Sequence, residues 1–240
     1  MPRMDLPHKV DSPTMFSKIA HRYDLLNHVL SLNIDTRWRK KLVQIAGLKG
    51  PARVLDACTG TADVAISLAS ELPEVEVVGI DRSDGMLAIG RQKVDKVGLR
   101  GRVMLCEGDV LALPFENAEF DAVTIAFGLR NLPDYAMGVS EMVRVLKPGG
   151  RLLVLEFSPP ARGVFLKGYN FYLQNVIPVV GGIISGSWKA YRYLASSIGD
   201  FLPGDRIITL MQEAGLRDVA ARKMAGGIAY VFQGATRDKR

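Results

Sequence analysis

The chain has 240 residues, 48% hydrophobic and 23% charged, the make-up of one globular domain with at most a small attachment. Its net charge of +6 and pI near 9.4 are mildly basic, and no aromatic residues interleave with a basic stripe, so nucleic acid is not an expected partner. Two cysteines are no disulfide framework, no uncharged apolar run reaches bilayer-spanning length, and the polar start with Asp5 is no signal peptide, so a reduced cytoplasmic protein is expected.

Residues 1–13, rich in Pro and polar residues, read as a loose arm. From Thr14, apolar residues at Phe16, Ile19, Tyr23, Leu26 and Leu30 recur at helical spacing, and Trp38, Leu42 and Ile45 mark a second short helix. These helices, over 14–50, are expected to form a lid before Gly50-Pro51 punctuates the chain. His21 and His28 share a helix face there. They read either as a solvent-facing pair or as lid residues near a site.

The next hundred residues alternate. Strands are expected at Arg53–Asp56, Val75–Ile80, Val103–Cys106, Ala122–Ala126 and Arg151–Glu156, and helices at Thr61–Ser70, Asp84–Val94 and Tyr135–Leu146. Such alternation predicts a parallel sheet with helices on both faces. Lys147-Pro-Gly-Gly150 is expected to stop a helix and turn into the next strand. Gly163–Gly186 is apolar and aromatic but broken by Pro178, Gly181 and Gly182. A helix over Gly204–Ala214 precedes two strands, Asp218–Lys223 and Ile228–Gly234, joined at Ala225-Gly-Gly227. The fold class is therefore α/β and Rossmann-like, a seven-stranded, mostly parallel sheet with an antiparallel last strand. Residues 51–240 form its main domain.

The chemistry gathers at strand ends. The first strand closes on Asp56 and opens the loop Ala57-Cys-Thr-Gly-Thr-Ala62, which keeps only Gly60 of a dinucleotide-type glycine pattern. Asp56 would repel a pyrophosphate but suits an ammonium group. Thr61 reads as a helix cap or as a contact to an amino-acid tail. Asp81 ends the second strand and suits the two hydroxyls of a ribose. Asp109 follows the third, either capping a turn or accepting an adenine amine, with Val110 packed on the ring. Three acids at three successive strand ends suit S-adenosylmethionine. After the fourth strand, Arg130 and Asn131 read either as a surface Arg with a capping Asn or as an oxyanion partner with a ring-orienting amide. No metal-ligand spacing is present.

Several segments resemble the menaquinone/ubiquinone C-methyltransferase family of class I S-adenosylmethionine-dependent enzymes: Phe16–Asn27, Asp56–Asp63, Ile125–Asn131, Arg144–Ser158 and Tyr191–Ile198. The Phe-Gly-Leu-Arg-Asn and Tyr-Asp-Leu-Leu-Asn stretches are the specific ones; Lys-Pro-Gly-Gly is common among methyltransferases. The resemblance implies methyl transfer to a ring carbon of a polyprenylated hydroquinone, with demethylmenaquinol preferred and a benzoquinol as second substrate. It places Thr61, Asp81, Asp109, Val110 and Ala126 at cofactor-contacting positions, Ala126 where the ubiquinone branch often has Ser. Segment 163–199 becomes a helical substrate-side insertion, its Phe165–Ile184 stretch lining a tail tunnel or dipping into lipid. The basic run Arg37–Lys41 supports transient, peripheral membrane contact, and a homodimer is compatible with the reading. The rival readings are an O- or N-methyltransferase for a soluble substrate, and a non-catalytic binding module on the same scaffold.

Overall fold

A computed structural model describes residues 14, 17, 20, 21, 31, 33–157, 175, 176, 178, 179, 182 and 188–238. Seven strands form one sheet: β1 (Ala52–Ala57), β2 (Val75–Asp81), β3 (Val103–Glu107), β4 (Phe120–Ala126), β5 (Leu146–Phe157), β6 (Arg217–Met224) and β7 (Ala229–Ala235). Their order is β3-β2-β1-β4-β5-β7-β6. β1 through β5 pair in parallel, and β7 runs antiparallel to both β5 and β6. The chain moves outward from β1 to β3, then returns to place β4 on the other side of β1. A crevice therefore opens between the C-terminal ends of β1 and β4, the usual ligand position in such sheets.

Period-two alternation divides each central strand between two cores. Leu55, Val78, Ile80, Val123, Ile125, Leu152 and Val154 face one side, with Met142, Ile207 and Met211. The latter come from helices α4 (Tyr135–Arg144) and α6 (Gly204–Glu213). Val54, Val77, Ala122, Leu153 and Leu155 face the other. Helices α1 (Ile34–Ala46), α2 (Asp63–Glu71) and α3 (Asp84–Lys96) cover that side. Trp38, Leu42 and Val43 of α1 belong to this core. Residues 34–46 thus pack into the core of the sheet. Helix α5 (Trp188–Gly199) lies beside the turn after β4. Nearly all of Gly163–Gly186, most of 14–30 and the whole arm 1–13 lie outside the described residues.

Side-chain caps open two of the helices. Ser83 Oγ accepts from Met86 N at 3.3 Å to open α3, and Asp134 Oδ1 accepts from Met137 N at 2.9 Å to open α4. Thr61 caps nothing. Ala62, at φ 65°, occupies the N-cap of α2 with no side-chain bond. The turn expected at Lys147–Gly150 is also different. Helix α4 ends at Arg144, and residues 147–150 already belong to β5. A register shift opposite Phe120–Ala122 absorbs the irregularity.

One glycine decides how the central strands meet the first loop. Asp56 of β1 lies opposite Gly79 of β2 on one flank and Thr124 of β4 on the other. A Cβ on Gly79 would come within 2.8 Å of Thr59 Oγ1 and 2.6 Å of Leu105 Cδ2. The missing side chain is thus the space into which the loop folds. Gly79→Ala should cost about 1–3 kcal/mol through overpacking, lowering Tm by several degrees in a domain of this size. A thermal melt unchanged within about one degree would show that the loop relaxes freely.

Candidate active site

The site begins with a carboxylate inside the sheet. Asp56 is 1% exposed, and both its oxygens are satisfied by hydroxyls. Thr59 Oγ1 donates to Oδ2 at 2.6 Å and Thr124 Oγ1 to Oδ1 at 2.7 Å. Burial pushes its pKa up to about 6, against the pull of the two hydroxyls. The loop then turns back over β2, with Thr59 N donating to Ile80 O at 3.0 Å. Cys58, Gly60 and Ala62 all take left-handed backbone, at φ 54°, 55° and 65°. Two of these are not glycine, a local strain of order 1–2 kcal/mol each. Burial raises the Cys58 thiol well above its ordinary range, which excludes it as a thiolate nucleophile at neutral pH.

Asp81 stands at the end of β2 and is oriented by two backbone donors, Gly60 N and Ser83 N, each at 2.9 Å. Burial raises its pKa and those N–H groups hold it down. Each oxygen keeps a further lone pair, as acceptance of a diol requires. Asp109 does cap a turn, through Leu111 N at 2.9 Å, and its Oδ2 lies 3.6 Å from Arg82 on the exposed rim. Val110 is 2% exposed in the core around Ile80 and Leu113. That leaves almost no side-chain surface to stack on an adenine ring, contrary to expectation.

Asp56 and the loop after it edge an open cleft lined by Cys58, Thr59, Gly60, Thr61, Asp63, Val64, Ala126, Phe127 and, unexpectedly, Arg39, while Asp81, Asp109 and Val110 lie outside this lining. The donor set fits S-adenosylmethionine. Asp56 and Asp81 are carboxylates of the kind an ammonium and a diol call for, and side chains at Cys58 and Ala62 crowd the approach a pyrophosphate needs. Arg39 comes from α1. Its Nη1 meets Asp35 at 2.6 Å and Asp63 at 3.2 Å. Lys93 pairs with the same Asp63 and donates to Thr61 Oγ1 at 3.3 Å, so Thr61 serves a charge network instead of a helix cap. The i,i+4 spacing of Asp35 and Arg39 was a readable helical pair; its place at the cleft was not.

The other side of the crevice corrects the reading of Arg130. It is not a surface residue: its side chain is 2% exposed and its Nη1 meets Glu156, 0% exposed, at 2.7 Å. The same nitrogen donates to Phe127 O at 2.7 Å, and the guanidinium lies 5.5 Å from the Phe157 ring centroid. Arg130 Nε is buried without a hydrogen-bond partner among the described residues. A guanidinium neutralised in this way holds the turn in place, and its charge reaches a substrate only as one end of an ion pair. Asn131 sits in the short 3-10 turn Leu129–Asn131. Its Nδ2 donates to Phe127 O at 3.3 Å and its Oδ1 accepts from Tyr193 Oη at 3.1 Å. Glu156 and Tyr193, both inside segments quoted for the resemblance, carry this geometry and were given no role from sequence. His21 is exposed, as the solvent-facing reading has it; His28 lies outside the described residues.

The buried carboxylate yields a prediction. A rise from 3.8 to about 6 means that ionising Asp56 costs roughly 3 kcal/mol, absent below about pH 4 and fully present above about pH 6. Asp56→Asn keeps the shape, because Thr124 Oγ1 has Leu55 O as a second acceptor at 3.5 Å. The variant without ligand should melt several degrees higher than the parent at pH 8, and the gain should vanish near pH 4. Its affinity for S-adenosylmethionine should fall by about tenfold or more. Equal melting curves at both pH values would show that the carboxylate pays no burial penalty.

Comparison with known proteins agrees with this geometry. The model of the ubiE/COQ5 methyltransferase family matches residues 7–236. The demethylmenaquinone methyltransferase of Thermus thermophilus is 48% identical over 220 residues, covering 92% of this chain and 99% of that protein. The ubiquinone/menaquinone biosynthesis C-methyltransferase UbiE of Geobacter sulfurreducens is 46% identical over 221 residues, covering 92% and 86%. Among solved structures, the [4+2]-cyclase SpnF superposes with a TM-score of 0.70 at 16% identity, covering 97% of this chain and 98% of that one. A SAM-dependent methyltransferase from Aquifex aeolicus does so with 0.61 at 18%, covering 82% and 88%. At that identity the structures speak for the fold alone. With a family model spanning nearly its whole length and relatives this similar, the chain belongs to the ubiE/COQ5 methyltransferase family and is an S-adenosylmethionine-dependent C-methyltransferase.

Proposed function

We propose that this enzyme methylates a ring carbon of demethylmenaquinol, giving menaquinol, with benzoquinols as weaker substrates. The observation that carries the reading is the division of the crevice. Carboxylates stand at the ends of β1 and β2, and a half-buried amide–phenol pair backed by a buried ion pair stands after β4. The names of the Thermus and Deinococcus relatives support the naphthoquinol preference.

The cosubstrate supplies an electrophilic methyl group on a sulfonium, so the protein's task is mainly alignment. Asp81 accepts the ribose hydroxyls, Asp109 meets the adenine edge, Asp56 faces the ammonium, and Thr61, Gly60 and Ala126 shape the wall. Ionising a ring hydroxyl makes the neighbouring carbon nucleophilic. Phe127 O can only accept, so it fixes the Asn131 amide nitrogen toward itself, and Tyr193 takes the amide oxygen. The remaining amide N–H is then free to donate to the ring oxygen as it gains charge. Arg130, clamped by Glu156, holds that turn rigid. The hydroxyl proton goes to water, and the proton on the methylated carbon is lost as the ring oxygen is reprotonated, so one proton is released overall.

The lipid-soluble tail requires the enzyme to meet a bilayer. No helix among the described residues is long and apolar enough to cross one. On α1, Trp38 and Arg39 face inward while Arg37, Lys40 and Lys41 are exposed, so three of the four basic residues in Arg37–Lys41 form a surface free to meet anionic lipid.

Three experiments test this reading. Purified enzyme given S-adenosylmethionine and a short-tailed demethylmenaquinol should yield a ring-methylated product by mass spectrometry, with soluble catechols left untouched. Asn131→Ala should lower kcat by about a hundredfold and leave S-adenosylhomocysteine affinity unchanged. Methylation of catechols in preference to the quinol would replace the assignment with an O-methyltransferase. Separately, reversing Arg37, Lys40 and Lys41 to Glu should abolish sedimentation with anionic liposomes at low salt, since each basic residue contributes about 1 kcal/mol. Undiminished binding would move the membrane contact elsewhere.

A further inference from the structure

We propose that Arg39 is a specificity-determining residue that grips the α-carboxylate of the cosubstrate's amino-acid tail. It rests on the cleft being the cosubstrate site. Arg39 is 8% exposed, yet it is among the residues lining the cleft. Its Nη1 carries both ion pairs, to Asp35 and Asp63, whereas Nε and Nη2 make no hydrogen bond to any described residue. The fork is therefore anchored at one nitrogen and open at the other two, the arrangement a bidentate carboxylate needs.

Charge points the same way. Among the cleft's lining residues Arg39 is the cation, and Asp56 and Asp63 are the anions. The amino-acid tail is a zwitterion. Its ammonium goes to Asp56, whose two oxygens meet threonine hydroxyls and no cation among the described residues; its carboxylate must then find a cation. Lys93 does not line the cleft, and it is held by Asp63 and Thr61. Asp35 and Asp63 keep Arg39 in place, so that it need not be ordered when the ligand arrives. The same ion pairs join α1 to the first turn of α2, which makes the N-terminal helix part of the ligand site.

A grip on the carboxylate differs from a structural role in what it distinguishes. Calorimetry should be run with S-adenosylhomocysteine, with its analogue that keeps the amine and lacks the carboxylate, and with 5′-methylthioadenosine, which lacks the whole tail. The parent enzyme should bind S-adenosylhomocysteine at least tenfold more tightly than the decarboxylated analogue. Arg39→Gln should weaken S-adenosylhomocysteine by roughly 30-fold, the range of a lost charge-assisted pair, and should change the other two ligands less than twofold. Asp35→Asn with Arg39→Gln removes both charges and guards against misfolding from an orphaned aspartate. Asp81→Ala should weaken all three ligands alike, which checks the cleft independently of Arg39. Equal losses on all three ligands in the Arg39 variants would overturn the proposal, as would equal affinity of the parent for S-adenosylhomocysteine and its decarboxylated form.

Discussion

A carboxylate placed inside the sheet organises everything around it. Asp56 occupies an interior position of β1, opposite Thr124 on one side and a glycine on the other. An uncompensated charge there would be expensive, so two hydroxyls must reach it. Thr124 does so from the neighbouring strand. Thr59 does so only because the loop folds back over Gly79, and that fold dictates the left-handed backbone at Cys58, Gly60 and Ala62. The same fold presents Gly60 N–H to Asp81. One buried group thereby fixes the loop, and the loop aims the second carboxylate.

The opposite core handles a buried charge differently. Glu156, at the end of β5, remains raised by burial even though Arg130 pulls it down. The pair cannot be dissected cheaply, because removing either partner leaves a bare charge in the interior. Its return is rigidity: the turn through Phe127, itself at φ 56°, is bonded by Arg130 and Asn131 and backed by Phe157 and Trp38. A rigid turn on one side and a polar cleft on the other are what an alignment-driven reaction calls for. That a cyclase shares the fold shows that the scaffold alone does not choose the chemistry.

The two sides meet through α1. Trp38 packs on Phe127 and Phe157, and the next residue, Arg39, bonds to α2. Its remaining exposed residues are mainly basic. A single helix thus touches the start of α2, the turn after β4 and solvent.

Strand and helix identities were legible because each buried strand is a short β-branched run and each helix an apolar stripe. The sheet's layout followed from their alternation. Asp56, Asp81 and Asp109 were legible as site candidates because acids at strand ends are unusual and their spacing follows the βα repeat. Boundaries such as Lys147–Gly150 were not, because a proline and two glycines read as a turn while an edge irregularity in a paired strand admits them equally well. Nor could pattern reveal that Val110 is core, that Arg130 is neutralised, or that Arg39 reaches the cleft. Sequence by itself determined which groups carry charge and at which end of the sheet the acids stand, because periodicity and strand order are local and repetitive. Tertiary structure alone decided which charges meet across the fold and which are left open, because burial and pairs such as Arg39 with Asp63 and Arg130 with Glu156 join segments more than twenty residues apart, where sequence carries no distance.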